Sequence, residues 1–571
     1  MKNYPLQFVF LLASLLVSCQ SGEKHQIATE IFHGGSIYTA DETSPMVEAV
    51  AIKDSIILFS GSFEEAKKFA NESTVITDLK GKTMIPGLIE SHGHLMGVGE
   101  NQLNIDLLNA TSYEELIALV DSAIATKEPG EWILGRGWHQ DKWDSVTGGL
   151  IDGFPTNELL NTISPNNPVY LRHASGHAGI ANAKALEIAG LSSLNPESIE
   201  SEVEGGEVIR DELGNPTGVL NERAMGLVTK YIPAKNDEYY RQALKLAISH
   251  CHENGITSFH DAGIDAGTIE LYQAAQKNKQ LQLRIYAMVS GPDRELTSEW
   301  LARGPLIDTS EYLLTIRSIK LNCDGALGSR GAWLLEDYED RPGHAGMATL
   351  PMEYVLEVSR KGLKSGFQVC SHAIGDRANR EILDQYETAF KEHPDVKDPR
   401  FRMEHAQHID PADLPRFADM NIIAAMQAVH MASDRPWAID RLGEKRIVEG
   451  AYMWQSLLKL GVKVTNGTDA PVEPLNPFPS FYASVTRKTL NGTPEGGYEP
   501  AEKMTREQAL KSYTIDGAYG SFEENIKGSI TKGKRADLVI LDTNIMTCPE
   551  MDILNTNVLR TIFNGNTVFE K

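Results

Sequence analysis

The stretch Met84–Leu95, MIPGLIESHGHL, decides how this chain is read. Two histidines one residue apart stand at the end of an apolar run closed by a Pro86-Gly87 turn. In an extended strand, positions i and i+2 project to the same side, so His92 and His94 can offer both imidazoles to one ion while Gly93 turns away. Alone, such a pair is equally a polar strand end. A metal site needs further ligands at the same end of neighbouring strands.

Working outward, seven more short apolar runs follow: Ile256–Asp261, Leu283–Val289, Ser318–Asp324, Phe367–Ala373, Phe401–Ala406, Ile422–Gln427 and Val462–Asp469. With Met84–His94 they make eight, separated by helical-period segments such as Asn236–Gly255. That pattern predicts an α/β fold, a TIM-like (β/α)8 barrel, which places its chemistry at the carboxyl ends of its strands. The gap between His94 and Ile256 exceeds one βα unit, so an insertion at about 100–220 is expected over that end. Within it, GRGWHQDKW (135–143) and VYLRHASGHAGIAN (169–182) offer Trp138, His139, His173 and His177 as substrate contacts, with ordinary loop packing the alternative. From Thr29 to Ser60, and again from Lys527 onward, period-two alternation with Gly and Asn turns predicts antiparallel strands. The economical arrangement is a small composite β-sandwich built from both chain ends, 29–83 plus 520–571, beside a barrel over 84–519.

The other strand ends carry Lys320, His372, His405 and Asp469, in runs that otherwise need no charged or metal-competent side chain. His372 and His405 are 33 residues apart, about one βα repeat, and Asp469 follows 64 later, about two. Imidazoles with a carboxylate suit Zn2+, with Mn2+, Fe2+ or Ni2+ open on ligand softness. A protonated Lys320 beside a cation is repelled, so it must be neutral, displaced, or converted by CO2 to a carbamate bridging two metals. Pairing with Asp324 or a substrate carboxylate is its alternative role. Cys370 reads as a buried inert thiol, His260 and Asp261 as supports behind the ligands, and Asp376 with Arg377 as a structural pair.

The chain has 571 residues, 41% of them hydrophobic, and a formal net charge of -24, which speaks against nucleic acid as a partner. Its first residues hold a short apolar segment, Leu6–Val17, ending in Leu16-Val17-Ser18-Cys19. This resembles the bacterial lipoprotein signal: residues 1–18 removed, Cys19 lipidated, and a short tether over 19–28. A lipid anchor in the bacterial cell envelope, periplasmic or surface-exposed, is the expectation. The four remaining cysteines show no CxxC spacing and read as thiols, mainly buried.

Six ordered motifs, MIPGLIESHGHL, IKLNCDGALGSRGA (319–332), VCSHAIGDRANR (369–380), RMEHAQHID (402–410), NGTDAPVEPLNPF (466–478) and KGSITKGKRADLVILD (527–542), together resemble the amidohydrolase superfamily. Within it they are similar to amidohydrolase family 3, the group of N-substituted formamide deformylase-like enzymes. The resemblance runs from about residue 30 to the end. It implies a metal-dependent hydrolase in which His92, His94, His372, His405 and Asp469 match metal ligands. Lys320 matches the carboxylated lysine of the binuclear members, so one or two divalent ions, zinc foremost, are implied. Glu90 stands where the family usually has Asp. The expected reaction is hydrolysis of a non-peptide C–N bond in a small molecule (N-formyl, N-acyl, cyclic amide or amidine), with Asp469 accepting the proton of an activated water. Deamination of a cyclic base competes, and a non-catalytic small-ligand-binding surface lipoprotein is the reading from another class. The oligomeric state, a homodimer included, stays open.

Overall fold

The structure is a computed structural model that describes residues 26–108, 110–140, 143, 149–191, 203 and 206–571. Cys19 and the signal segment lie outside the described residues. Among the described residues no helix is long and apolar enough to cross a membrane.

Eight parallel strands form the centre: β1 Leu88–Gly93, β2 Ile256–Ile264, β3 Arg284–Ser290, β4 Leu314–Asn322, β5 Gln368–Ala373, β6 Arg402–His405, β7 Ile423–Met426 and β8 Val464–Asn466. Each pairs in parallel with the next, β1 through β8, as the strand count predicts for a TIM-like barrel. Just beyond β8 the chain closes on β1 through Asp469 N–H to His92 O (3.0 Å) and His94 N–H to Ala470 O (2.7 Å). At the remaining gap the Glu90 carboxylate accepts the Thr468 amide (2.9 Å) and hydroxyl (3.0 Å), so a side chain stands in for ladder bonds. The strands are buried at nearly every position because helices cover the barrel outside and side chains fill it inside.

The opening stretch is not one strand. Thr83–Pro86 belongs to a second sheet, where it pairs antiparallel with Leu538–Leu541, and the barrel begins at Leu88. Gly87 makes the passage: a Cβ there would lie 2.1 Å from Thr257 Oγ1, so only glycine lets the chain cross this close to β2. The second sheet has eight strands, five from the amino-terminal end and three from the carboxyl end, in one continuous hydrogen-bonded ladder. Phe32, Ile37, Val50, Met84, Leu538 and Ile562 from both ends share its core. Buried Arg284 at the start of β3 fastens barrel to sheet, donating to both carboxylate oxygens of Asp537 at 2.7 and 3.0 Å.

Between β1 and β2 the insertion builds a six-stranded sheet of its own, from Ile105–Asp106 to Pro216–Glu222. Leu107, Tyr113, Leu116, Trp138, Leu171 and Ile180 form its separate core. No disulfide links the described cysteines: Cys251, Cys323 and Cys370 are buried and Cys548 is half-buried.

Candidate metal centre

Four imidazoles and a carboxylate converge at the carboxyl ends of β1, β5, β6 and β8. The ligand atoms of His92, His405 and Asp469 lie within 4.8 Å of one another. His94 joins through Asp469, with Nε2 to Oδ1 at 3.2 Å, and His372 through His405, with ring centroids 4.5 Å apart. Gly93 can separate the first two histidines because its Cα faces Phe259, and a Cβ would lie 2.7 Å from that ring. His405 (φ 72°) and Asp469 (φ 57°) both occupy left-handed backbone, where a residue with a side chain is disfavoured. Such strain persists where surrounding structure imposes it, and functional sites are where it concentrates.

Every one of the four rings is held at Nδ1 by an oxygen. His92 Nδ1 meets the Glu404 carboxylate in a very short contact, and His94 Nδ1 meets Ala262 O at 3.0 Å. His372 Nδ1 meets Asp324 Oδ1 at 2.8 Å, and His405 Nδ1 meets Gln427 Oε1 at 2.7 Å. Gln427 is fixed in that orientation because its amide NH2 donates to Ala425 O at 3.0 Å. Oxygen acceptors place the ring proton on Nδ1 and leave a lone pair on each Nε2. Those of His92 and His94 face the Asp469 carboxylate. Asp469 Oδ1 is buried, lacks a well-angled hydrogen bond among the described residues, and lies 3.7 Å from His92 Nε2. Acceptors turned on acceptors repel unless a cation stands among them, so this donor set fits a divalent ion.

The electrostatics agree. Burial, reinforced by Lys320, pushes the His92 imidazole down to about 4. Burial likewise lowers His372 and His405, so all three rings are neutral at pH 7, the form that binds metal. Burial alone would raise Asp469, but the imidazoles, His92 foremost, hold it well below the usual carboxylate range. Burial also opposes ionisation of Glu404, and the Arg402 guanidinium with His92 overcomes it, taking the carboxyl down to about 2.

Lys320 is 4% exposed, and its Nζ lies 3.5 Å from His92 Nε2. Burial pushes its ammonium pKa down. It does not pair with Asp324, whose oxygens are taken by His372 and by the amides of Trp333, Ile374 and Gly375. Cys370 donates to Gln368 Oε1 at 3.3 Å, and burial drives its thiol upward, which keeps it inert. His260 binds Arg402 and Asp261 accepts Leu95 N–H, both as supports. Asp376 and Arg377 form no side-chain pair; each anchors Leu335, through its amide and its carbonyl respectively.

A cavity of about 850 Å3, its open mouth included, lies over these ligands, between the barrel and the insertion. His139, His173 and His177 line it together with His372, His405 and Asp469. His173 Nδ1 is 2.8 Å from Ser175 Oγ, and His177 Nδ1 is 3.0 Å from Glu222. Trp138 is not among the lining residues. It is fully buried in the insertion, donating to Leu171 O at 2.9 Å, because its flat apolar area is worth more in that core than at a wet wall. Sequence reasoning missed Glu404, Arg402 and Gln427. Glu404 and Arg402 stand inside the quoted RMEHA, yet nothing local shows that Glu404 reaches across the barrel to His92.

Comparisons with known proteins match this chain over most of its length. Protein LONG AFTER FAR-RED 3 of Arabidopsis thaliana is 33% identical, over 95% of this chain and 92% of its own. N-substituted formamide deformylase of Arthrobacter pascens is 27% identical, over 94% and 97%. A crystal structure of an uncharacterized metal-dependent hydrolase from Pyrococcus horikoshii superposes with a TM-score of 0.72 at 27% identity, covering 91% of this chain and 99% of that one. Residues 75–569 match the model of the amidohydrolase family, and with the ligand geometry above this chain belongs to that family as a metal-dependent amidohydrolase.

Proposed function

We propose that the protein hydrolyses a non-peptide C–N bond, an N-formyl or N-acyl amide or a cyclic amide, in a small molecule. The observation that carries this reading is the group of four Nδ1-anchored imidazoles gathered with Asp469, the Nε2 atoms of His92 and His94 lying 3.7 and 3.2 Å from its Oδ1. His92, His94, His372, His405 and Asp469 would hold the ion, with zinc the best match to a nitrogen-rich set carrying one carboxylate. An ion held there would supply a Lewis acid for the scissile carbonyl and would lower the pKa of water to near 7. Asp469, held ionised, takes the proton from the attacking water as the new C–O bond forms. It then returns that proton to the departing nitrogen as the C–N bond breaks, so the products are a carboxylic acid and an amine. Glu404, Asp324, Gln427 and the Ala262 carbonyl keep the rings aimed throughout. The formamide deformylase likeness supports the amide class, and the insertion closing the cavity supports a small substrate.

The test is metal analysis with a hydrolysis panel of N-formyl, N-acyl, carbamate and cyclic amide compounds. Purified protein should retain one or two equivalents of zinc, and chelation should abolish turnover. Replacing His92 or Asp469 by Ala should remove metal-dependent activity; retained activity overturns the reading. Two equivalents with a carbamate on Lys320 are the proposed complement, favoured by the burial that lowers its pKa and so exposes a nucleophilic amine to CO2. A carbamate carbon resonance after loading with 13C-bicarbonate, absent in Lys320→Arg, checks it. The signature Leu16–Cys19 supports a lipid-anchored envelope protein; fatty-acid labelling lost in Cys19→Ala is the corresponding measurement.

A further inference from the structure

The helical segment Ala428–Gly450, kinked at Gly443 (φ 73°), starts directly after β7, and its first part lines the cavity. His430, Asp434 and Trp437, spaced i, i+4 and i+7, lie on one helix face, and all three line the cavity wall. His430 is 9% exposed, and its ring is stacked over that of His405 at 6.3 Å between centroids and 18° between planes. Its Nε2 is buried without a hydrogen-bond partner among the described residues. So is Nε1 of Trp437, a group that can only donate. Two buried ring nitrogens on one cavity-lining face, both unmatched, mark a place where a ligand supplies the partners.

The helix is fixed where this face begins. Ala428 N–H donates to Asn466 Oδ1 at 3.1 Å, Val429 N–H to Ser480 Oγ at 3.1 Å, and Ser433 Oγ to Glu473, a further cavity-lining carboxylate, at 2.7 Å. Against the Trp437 ring lies the loop Ala326–Ser329, where a Cβ on Gly328 would sit 3.4 Å from Trp437 Cη2. The strip is therefore anchored at its start and begins one ring away from a metal ligand.

We propose that the His430–Asp434–Trp437 face recognises a polar substituent of the substrate, one carrying at least one hydrogen-bond acceptor, next to the scissile bond. This rests on the amide-hydrolysis reading above. The acceptor takes the Trp437 Nε1 proton, and His430 Nε2 makes a second hydrogen bond to the same substituent. Asp434 and Glu473 favour N–H or O–H groups at its edge. The substrate class is then an amide bearing a carboxamide, ureido or hydroxyl group, in preference to one bearing a bare hydrocarbon.

The experiment uses the full zinc-loaded chain and a pair of isosteric N-acyl compounds, one with a carboxamide and one with a branched alkyl group in its place. A site built to hydrogen-bond a substituent rejects the analogue that lacks it, so kcat/KM should favour the carboxamide by about ten-fold or more. Trp437→Phe, which keeps the ring and loses the N–H, and His430→Phe should each erase most of that preference. Hydrolysis of the alkyl compound should change less than about two-fold, with zinc content unaltered. No preference in the wild type, or equal losses on both compounds, overturns the proposal, and loss of zinc in His430→Phe makes His430 a ligand instead. If alkyl amides are cleaved without discrimination, the strip fails and the hydrolase reading stands. If no amide is cleaved, that reading fails, and calorimetric binding of the same two compounds decides the strip by the same ten-fold criterion.

Discussion

At the scale of the residue, the site depends on the atoms behind the ligands. A ring nitrogen fixed by a carboxylate or amide oxygen keeps its lone pair where the ion must sit, and removing that support usually costs 10–100-fold in metal affinity. Glu404→Gln weakens both the hold on His92 and the pairing with Arg402, and Gln427→Leu frees the His405 ring. Each should therefore lower zinc affinity by roughly 10–100-fold in a chelator competition while the far-ultraviolet dichroism stays unchanged. Unchanged affinity in both would mean that the short anchoring contacts do not orient the rings. The histidines themselves were legible in sequence because HxH and isolated strand-end histidines stand out against apolar runs. Their supports were not, since Glu404 lies 312 residues from His92 along the chain.

At the scale of the element, barrel and terminal sheet are joined by a clasp rather than by apolar contact alone. Arg284 and Asp537 are both buried, and the guanidinium also donates to Glu311 O (2.7 Å) and Asn564 Oδ1 (3.1 Å). Asp537→Ala would leave that guanidinium buried without its carboxylate, a change that typically costs about 3–5 kcal/mol. Urea unfolding should show this loss, and Arg284→Met added to Asp537→Ala should recover part of it, since the uncompensated charge is then gone. Eight strands could be counted from apolar runs. The break at Gly87 could not, because the run MIPGLI stays apolar while its hydrogen-bond partners change from Leu538–Leu541 to β2.

At the scale of the whole molecule, stability responds to pH through groups that folding hides. His252 ends the helix Asp237–Glu253 beneath the terminal sheet, donating to Gln282 O at 2.7 Å and accepting the Thr561 hydroxyl at its carbonyl. Burial lowers its pKa against the opposing pull of the Gln282 carbonyl, Asp537 and Glu253. Below the ordinary histidine value of about 6.5 the unfolded chain therefore binds a proton that the folded one refuses, so stability falls as pH drops. The urea midpoint should decline from pH 7 toward pH 5, and His252→Gln, which keeps a donor and loses the titration, should make that decline shallower by its own share, His92, His372 and His405 supplying the rest. An identical slope in the variant would assign it to other groups. Metal acts in the opposite direction: an ion that binds only the folded barrel should raise the melting temperature, and chelation should lower it.

What the sequence by itself determined was periodic or chemically conspicuous: eight apolar runs with helical segments between them, a long interval after the first, and strand ends carrying His92, His94, Lys320, His372, His405 and Asp469. Period and residue type are local properties, and a strand end in a barrel points to one place by construction. Only the tertiary structure decided what depends on distance through space. It turned Trp138 into the insertion's core and brought His173 and His177 over the ligands. It made Glu90 a closure of the barrel seam and aimed Nε2 of His92 and of His94 at Asp469. The physical reason is that hydrogen bonds and burial are settled by neighbours hundreds of residues away, which no window of sequence contains.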